Sequence, residues 1–216
     1  KGRPATEPVP PILVFDLQYG DMDFNVFQRS MENLTEAQAT SEVHGFALAH
    51  FLKEGDAPLE HRDVCVLSPF NRHKNRLRTD IAGIPEEDWA KWENADDTLD
   101  DSANLSAQAV MCRNIDTVDK FQGSERDVVI INPVVVGNPD RAGDPHFINV
   151  ACSRSKHLLV IVGHVSSIAR KDVNWRTIYE HAEAVGLVFE CKEPGQVRSS
   201  LSSLLSGPAL KRRRLE

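Results

Sequence analysis

Two runs of valine, isoleucine and leucine constrain this chain most: residues 128–136 (VVIINPVVV) and 158–163 (LLVIVG). Neither run alternates apolar with polar residues, so neither can turn one face to water. Apolar text of this density fits a strand buried on both faces, as in the middle of a parallel sheet. Each is preceded by a polar cluster, 117–127 (TVDKFQGSERD) and 153–157 (SRSKH). These clusters must stand at the ends of strands or helices, where ligands bind in open α/β sheets.

The rest of the text alternates in the same manner. PILVFDL at 11–17 and DVCVLS at 63–68 read as further buried strands, and residues 114–117 and 187–191 as shorter ones. Asn33-Leu34-Thr35-Glu36 has the form of a capping box and predicts a helix to about Lys53, with Val43, Phe46, Ala47 and Phe51 at helical spacing. Pro69 opens a second helix to about Ile81. Asp144 and Pro145 fit an N-cap and first helical position, starting a helix that carries Asn149 and Arg154. A last helix spans 174–185 and buries Trp175, Ile178, Tyr179 and Ala182. Strands and helices in this order predict a parallel sheet with helices on both faces.

The sequences TVDKFQGSE (117–125) and NVACSRSK (149–156) resemble motifs V and VI of superfamily 1 helicases, in the form found in the up-frameshift and senataxin class. VCVLSPFNRHKNRL (64–77) is similar to motif IV of the same proteins, with Phe70 and His73 where the family usually carries Tyr and Gln. Likewise His146-Phe147 stands where an Arg-Arg or Arg-Lys pair is common. The resemblance covers about residues 12–164 and implies a RecA-like, P-loop-NTPase-type α/β fold. It implies that Gly123 and Glu125 contact nucleotide sugar and phosphates, that Gln122 couples this contact to the strand side, and that Arg154 is an arginine finger for the γ-phosphate. Ser68, Pro69, Phe70 and Thr117 would touch single-stranded RNA or DNA.

The residues themselves leave alternatives beside these roles. A guanidinium between two core strands needs an anionic partner or solvent, and a salt bridge to Asp or Glu would serve Arg154 as well as a phosphate. Gly123 and Glu125 can be a turn glycine and a surface acid. Arg72, Lys74, Arg76 and Arg78 alternate along a helix, so they form a solvated face or a stripe that tracks phosphates.

Composition agrees with one core. With 216 residues, 41% hydrophobic and 26% charged, the chain can bury a substantial interior. Its net charge of −7 gives no general attraction for nucleic acid, so such binding has to be local. No apolar run is long enough for a bilayer, which points away from membranes and towards a nuclear or cytoplasmic setting. The four cysteines are scattered and read as free thiols, with no metal-ligand spacing.

Acidic residues crowd into 85–101 around Trp89 and Trp92. That insertion reads as a mobile, solvated segment or as a docking site for a protein partner. Residues 1–10 read as a flexible lead and 192–216 as a Ser-rich, disordered tail, which ends in the basic patch Lys211, Arg212, Arg213, Arg214, a nuclear-import pattern.

No G-x-x-x-x-G-K-[ST] occurs, nor an Asp-Glu pair ending a strand, so phosphate cradle and magnesium ligands are lacking. The expectation is therefore residues 11–191 as the second RecA-like domain of a helicase. The first domain of the same polypeptide would supply the rest of the site for ATP and magnesium. The alternative is a catalytically idle helicase-like module used for protein interaction.

Overall fold

The computed structural model describes residues 11–25, 30–53, 57–90, 92, 106–121 and 123–206. In chain order the elements are β1 (Ile12–Leu17), a hairpin of β2 (Asp23–Asn25) and β3 (Ser30–Glu32), α1 (Leu34–His50), and a small hairpin of β4 (Leu52–Lys53) and β5 (Ala57–Pro58). Then come β6 (Val64–Ser68), α2 (Asn71–Ala82), α3 (Ala107–Arg113), β7 (Ile115–Thr117) and β8 (Arg126–Ile131). The chain continues with α4 (Pro145–Cys152), β9 (Ser155–Gly163), α5 (Val165–Ala169), α6 (Val173–Ala184), β10 (Val188–Cys191) and α7 (Gln196–Ser206).

Six strands form one parallel sheet in the order β10-β1-β9-β8-β6-β7. The two apolar runs supply its neighbouring central strands, β8 and β9. Side chains alternate across a strand, so both faces of a central strand need cover. Ile12, Val14, Leu67, Val129 and Ile161 face a core closed by α4, α5 and α6. Leu13, Phe15, Val66, Ile130 and Val160 face a second core closed by α1, α2 and α7. This is the α/β, RecA-like parallel sheet with helices on both faces.

Several sequence expectations change in detail. β8 stops at Ile131: the Asn132 amide still donates to the Leu67 carbonyl of β6 at 2.9 Å, but Pro133 has no amide to donate. Asn132 Nδ2 also donates to Thr40 Oγ1 (2.6 Å) and to the Val162 carbonyl (3.0 Å). Val134 and Val135 remain fully buried although they lie beyond the strand.

The capping box is only half made. Asn33 Oδ1 accepts from the Glu36 amide at 3.0 Å, but the Asn33 amide donates to His73 Nδ1 at 3.3 Å rather than to Glu36. Glu36 reaches away from its own helix, and its Oε1 accepts from the Val134 amide at 2.8 Å.

The tail reading is corrected over 196–206. Val197, Leu201 and Leu204 recur at helical spacing, and their burial against the second core folds this stretch into α7. Residues 1–10 and 207–216, with the basic patch, lie outside the described residues.

The start of the acidic insertion is also held. Glu86–Asp88 forms a 3-10 turn, and Trp89 and Trp92 pack against Ala82, Ile84 and Cys112. Trp89 Nε1 donates to Thr79 Oγ1 at 3.0 Å, and Arg76 lies 5.6 Å from the Trp89 ring centre. The two tryptophans thus face the domain, because their indoles cover an apolar corner that α2 and α3 leave open. Residues 91 and 93–101 lie outside the described residues.

Candidate functional site

The residues singled out by the sequence fall on two opposite edges of the sheet. Glu125 and Arg154 immediately precede β8 and β9, which pair with Arg126 opposite Ser155. They stand at the amino ends of two adjacent parallel strands. Ser68 and Thr117 are themselves register partners at the carboxyl ends of β6 and β7. The segment 118–125 joins the two edges, passing over the first core with Val118 and Phe121 buried.

At the amino-end edge, Arg154 is not inside a helix as expected. Helix α4 ends at Cys152 with Ser153 as its C-cap, so Arg154 occupies the turn into β9. There its guanidinium is half-buried and rests on neutral acceptors. Nε donates to the Val150 carbonyl (3.1 Å), Nη1 to the Ser124 carbonyl (3.4 Å) and Nη2 to Ser153 Oγ (3.0 Å). Among the described residues no carboxylate pairs with it. Among the described residues the salt-bridge alternative finds no partner, and three neutral acceptors hold the positive charge in place.

The 123–125 turn stands beside it. Gly123 has φ +88°, a conformation that favours glycine, while a Cβ there would meet no atom within 4 Å. Glycine is required by backbone shape here rather than by close packing. Glu125 is exposed, and its carboxylate has no partner among the described residues. Gln122 lies outside the described residues.

Arg126 lies beside these residues and was not singled out from the sequence. It sits where the polar cluster meets the apolar run, which is the position that a strand start at the edge should flag. Its Nε donates to Asn114 Oδ1 (2.8 Å), and its Nη1 to the Glu125 carbonyl (2.9 Å).

The carboxyl-end edge is more closed than expected. Ser68 Oγ accepts from the Phe70 amide at 3.3 Å and makes a tight turn. Ser68, Pro69 and Phe70 are all buried, and the Phe70 ring belongs to the first core with Leu67, Val118 and Phe121. With no hydroxyl to keep at the surface, this ring fills the core and presents no face for a base. Thr117 is half-buried and remains accessible.

Helix α2 overturns both readings of its basic residues. Positions four apart share a helix face. Lys74 and Arg78, each 1% exposed, approach the buried Asp116 at 3.8 and 3.7 Å. Arg72 and Arg76 approach Glu32 at 2.6 and 3.4 Å. All four cations are engaged internally, in neither a solvated face nor a phosphate stripe. His73 is fully buried, and burial pushes its imidazole down to about 3, with the nearby Arg76 charge acting in the same direction. It is therefore neutral at ordinary pH.

A family profile described as an AAA domain matches residues 2–166, most of the chain. The mouse (Mus musculus) probable helicase senataxin is 23% identical over 209 residues, covering 95% of this chain and 7% of that protein. The mouse DNA replication ATP-dependent helicase/nuclease DNA2 is 26% identical over 179 residues, 81% of this chain and 14% of that protein. Regulator of nonsense transcripts 1 of Caenorhabditis elegans is 35% identical over 79 residues, 35% of this chain and 7% of that protein.

The chain belongs to the senataxin and up-frameshift-like superfamily 1 helicases. It spans about a seventh or less of these curated relatives. The matched stretch contains both edges, from β1 through Arg154 to β9.

Proposed function

We propose that this chain is the second RecA-like domain of an ATP-dependent helicase that moves along and unwinds RNA or DNA in the nucleus or cytoplasm. The single observation that carries this reading is Arg154, held by three neutral acceptors with no carboxylate partner among the described residues. A guanidinium in that condition can stabilise negative charge that develops on a transferring phosphoryl group. Glu125, exposed beside it, can accept hydrogen bonds from a ribose hydroxyl.

The residues at this edge fit one side of a nucleotide and not the whole of it. They supply a cation and a sugar acceptor. The phosphate cradle and magnesium, which would polarise the phosphates, belong in this reading to the first RecA-like domain of the same polypeptide. Single-stranded nucleic acid is placed at the other edge, near Thr117. The crossover 118–125 then links the two ligands mechanically, since one short segment ends at both.

The experiment is ATP hydrolysis by the complete protein with and without single-stranded RNA or DNA, for the native sequence and for Arg154→Ala. Strand-stimulated turnover that collapses in the variant supports the reading. Turnover indifferent to Arg154 sinks it.

A further inference from the structure

We propose that Arg126 is a positioning residue of the nucleotide edge, locking the 123–125 turn and the Arg154 segment into one geometry. This rests on reading Glu125 and Arg154 as nucleotide contacts. The Arg126 amide donates to the Arg154 carbonyl at 3.0 Å, which ties the two segments through their backbones. Its side chain then reaches the other way. Nη1 donates to the Glu125 carbonyl at 2.9 Å and Nε to Asn114 Oδ1 at 2.8 Å, while the guanidinium carbon lies 5.0 Å from the centre of the Phe121 ring.

Two of those anchors belong to the rigid body of the domain. Asn114 is 4% exposed, and its Nδ2 donates to the His61 carbonyl (3.2 Å) and the Val110 carbonyl (2.9 Å), so its acceptor oxygen cannot swing. Phe121 is 5% exposed within the first core. The Glu125 carbonyl is therefore fastened, through one guanidinium, to two fixed points.

Arg154 hangs from the preceding carbonyl, that of Ser124, at 3.4 Å. Two guanidinium groups thus hold consecutive carbonyls of one turn. Gly123, at φ +88°, gives that turn a backbone with few restraints of its own. Removing Arg126 leaves the turn free to move relative to Arg154. A lysine cannot substitute fully, because a single ammonium lacks the planar fork that serves Asn114 and Glu125 together.

The test uses Arg126→Met and Arg126→Lys in the complete protein, with Arg154→Ala as reference. Arg126→Met is expected to lower kcat for strand-stimulated ATP hydrolysis by about tenfold to 10²-fold, the scale of a misplaced catalytic group, with KM for ATP nearly unchanged. Arg126→Lys should recover part of the loss. In this chain alone, hydrogen exchange at the amide of position 126 should quicken about tenfold while Val129 and Ile130 keep their protection.

A loss of turnover that only follows a general fall in stability, with Val129 and Ile130 exchanging faster as well, would reduce Arg126 to a structural residue and overturn the inference. So would normal kcat in Arg126→Met beside a collapsed Arg154→Ala. If Arg154→Ala also turns over normally, the nucleotide reading fails, and this inference with it.

Discussion

Glu36 gives the sharpest test of how this fold is held. Its carboxyl is fully buried, one oxygen accepts from the equally buried Val134 amide at 2.8 Å, and the other has no partner. Val134 itself holds φ +71°, an unusual conformation for a β-branched residue. Burial raises the Glu36 pKa well above 4.5, against the opposing Val134 hydrogen bond and the nearby Asn132 amide. The native state keeps a proton there that the unfolded chain releases above about pH 4.5. Stability should therefore fall as pH rises beyond that point, by at most about 1.4 kcal/mol per pH unit from this group.

Glu36→Ala orphans the Val134 amide, costing about 1–3 kcal/mol, and loses roughly 0.8 kcal/mol for the one buried methylene that Ala lacks. Relief from the buried acid offsets part of this, leaving a net loss of about 2 kcal/mol. For a domain of this size that is a fall of about 4 to 8 °C in melting temperature. Glu36→Gln keeps an acceptor for Val134 and removes the ionisation. Urea unfolding at about pH 5 and about pH 8 measures both effects. Gln should gain on the native chain as pH rises, and Ala should lie below it. If Gln loses as much as Ala at both pH values, the Val134 bond is not what Glu36 provides.

Trp89→Ala removes a bond to Thr79, a cation held over the ring, and cover for Ile84 and Cys112. It should cost about 1–3 kcal/mol in denaturant unfolding, and an unchanged midpoint would show that the indole is dispensable. Gly123→Ala meets no clash but must adopt φ +88°, at a cost of about 1–2 kcal/mol. Gly123→Asn should recover part of this, and an Ala variant as stable as the native chain would refute the backbone argument.

The central strands were legible because their signal is local: only burial on both faces tolerates VVII and LLVIV without a polar residue. The N-cap at Asp144 was legible for the same reason, its side chain accepting from the His146 amide at 2.9 Å. What escaped the sequence depends on partners distant in the chain. Glu36 has the spacing of a capping box but finds Val134, 98 positions away. Lys74 and Arg78 look like surface cations until Asp116, on β7, is placed beside them.

Helix α7 was masked by serines, which favour caps and turns over helix interiors, although Val197, Leu201 and Leu204 carried the helical period. At the candidate site the motif residues could be named from the text, and Glu125 and Arg154 do stand together. Their common edge could not be named. Open α/β sheets bind ligands at carboxyl strand ends, whereas this pair stands at amino ends.

The most direct measurement compares Arg154→Ala in two settings, the complete protein and this chain alone. Arg154 makes three hydrogen bonds to neutral acceptors and remains half-buried, so the fold should lose no more than about 1–2 kcal/mol without it. Turnover of ATP by the complete protein should fall by about 10³ or more, because the interaction strengthens only as charge develops in the transition state. Thermal unfolding of this chain should shift by only a few degrees, about 2–4 °C per kcal/mol. A large loss of melting temperature, with turnover per folded molecule unchanged, would contradict the account.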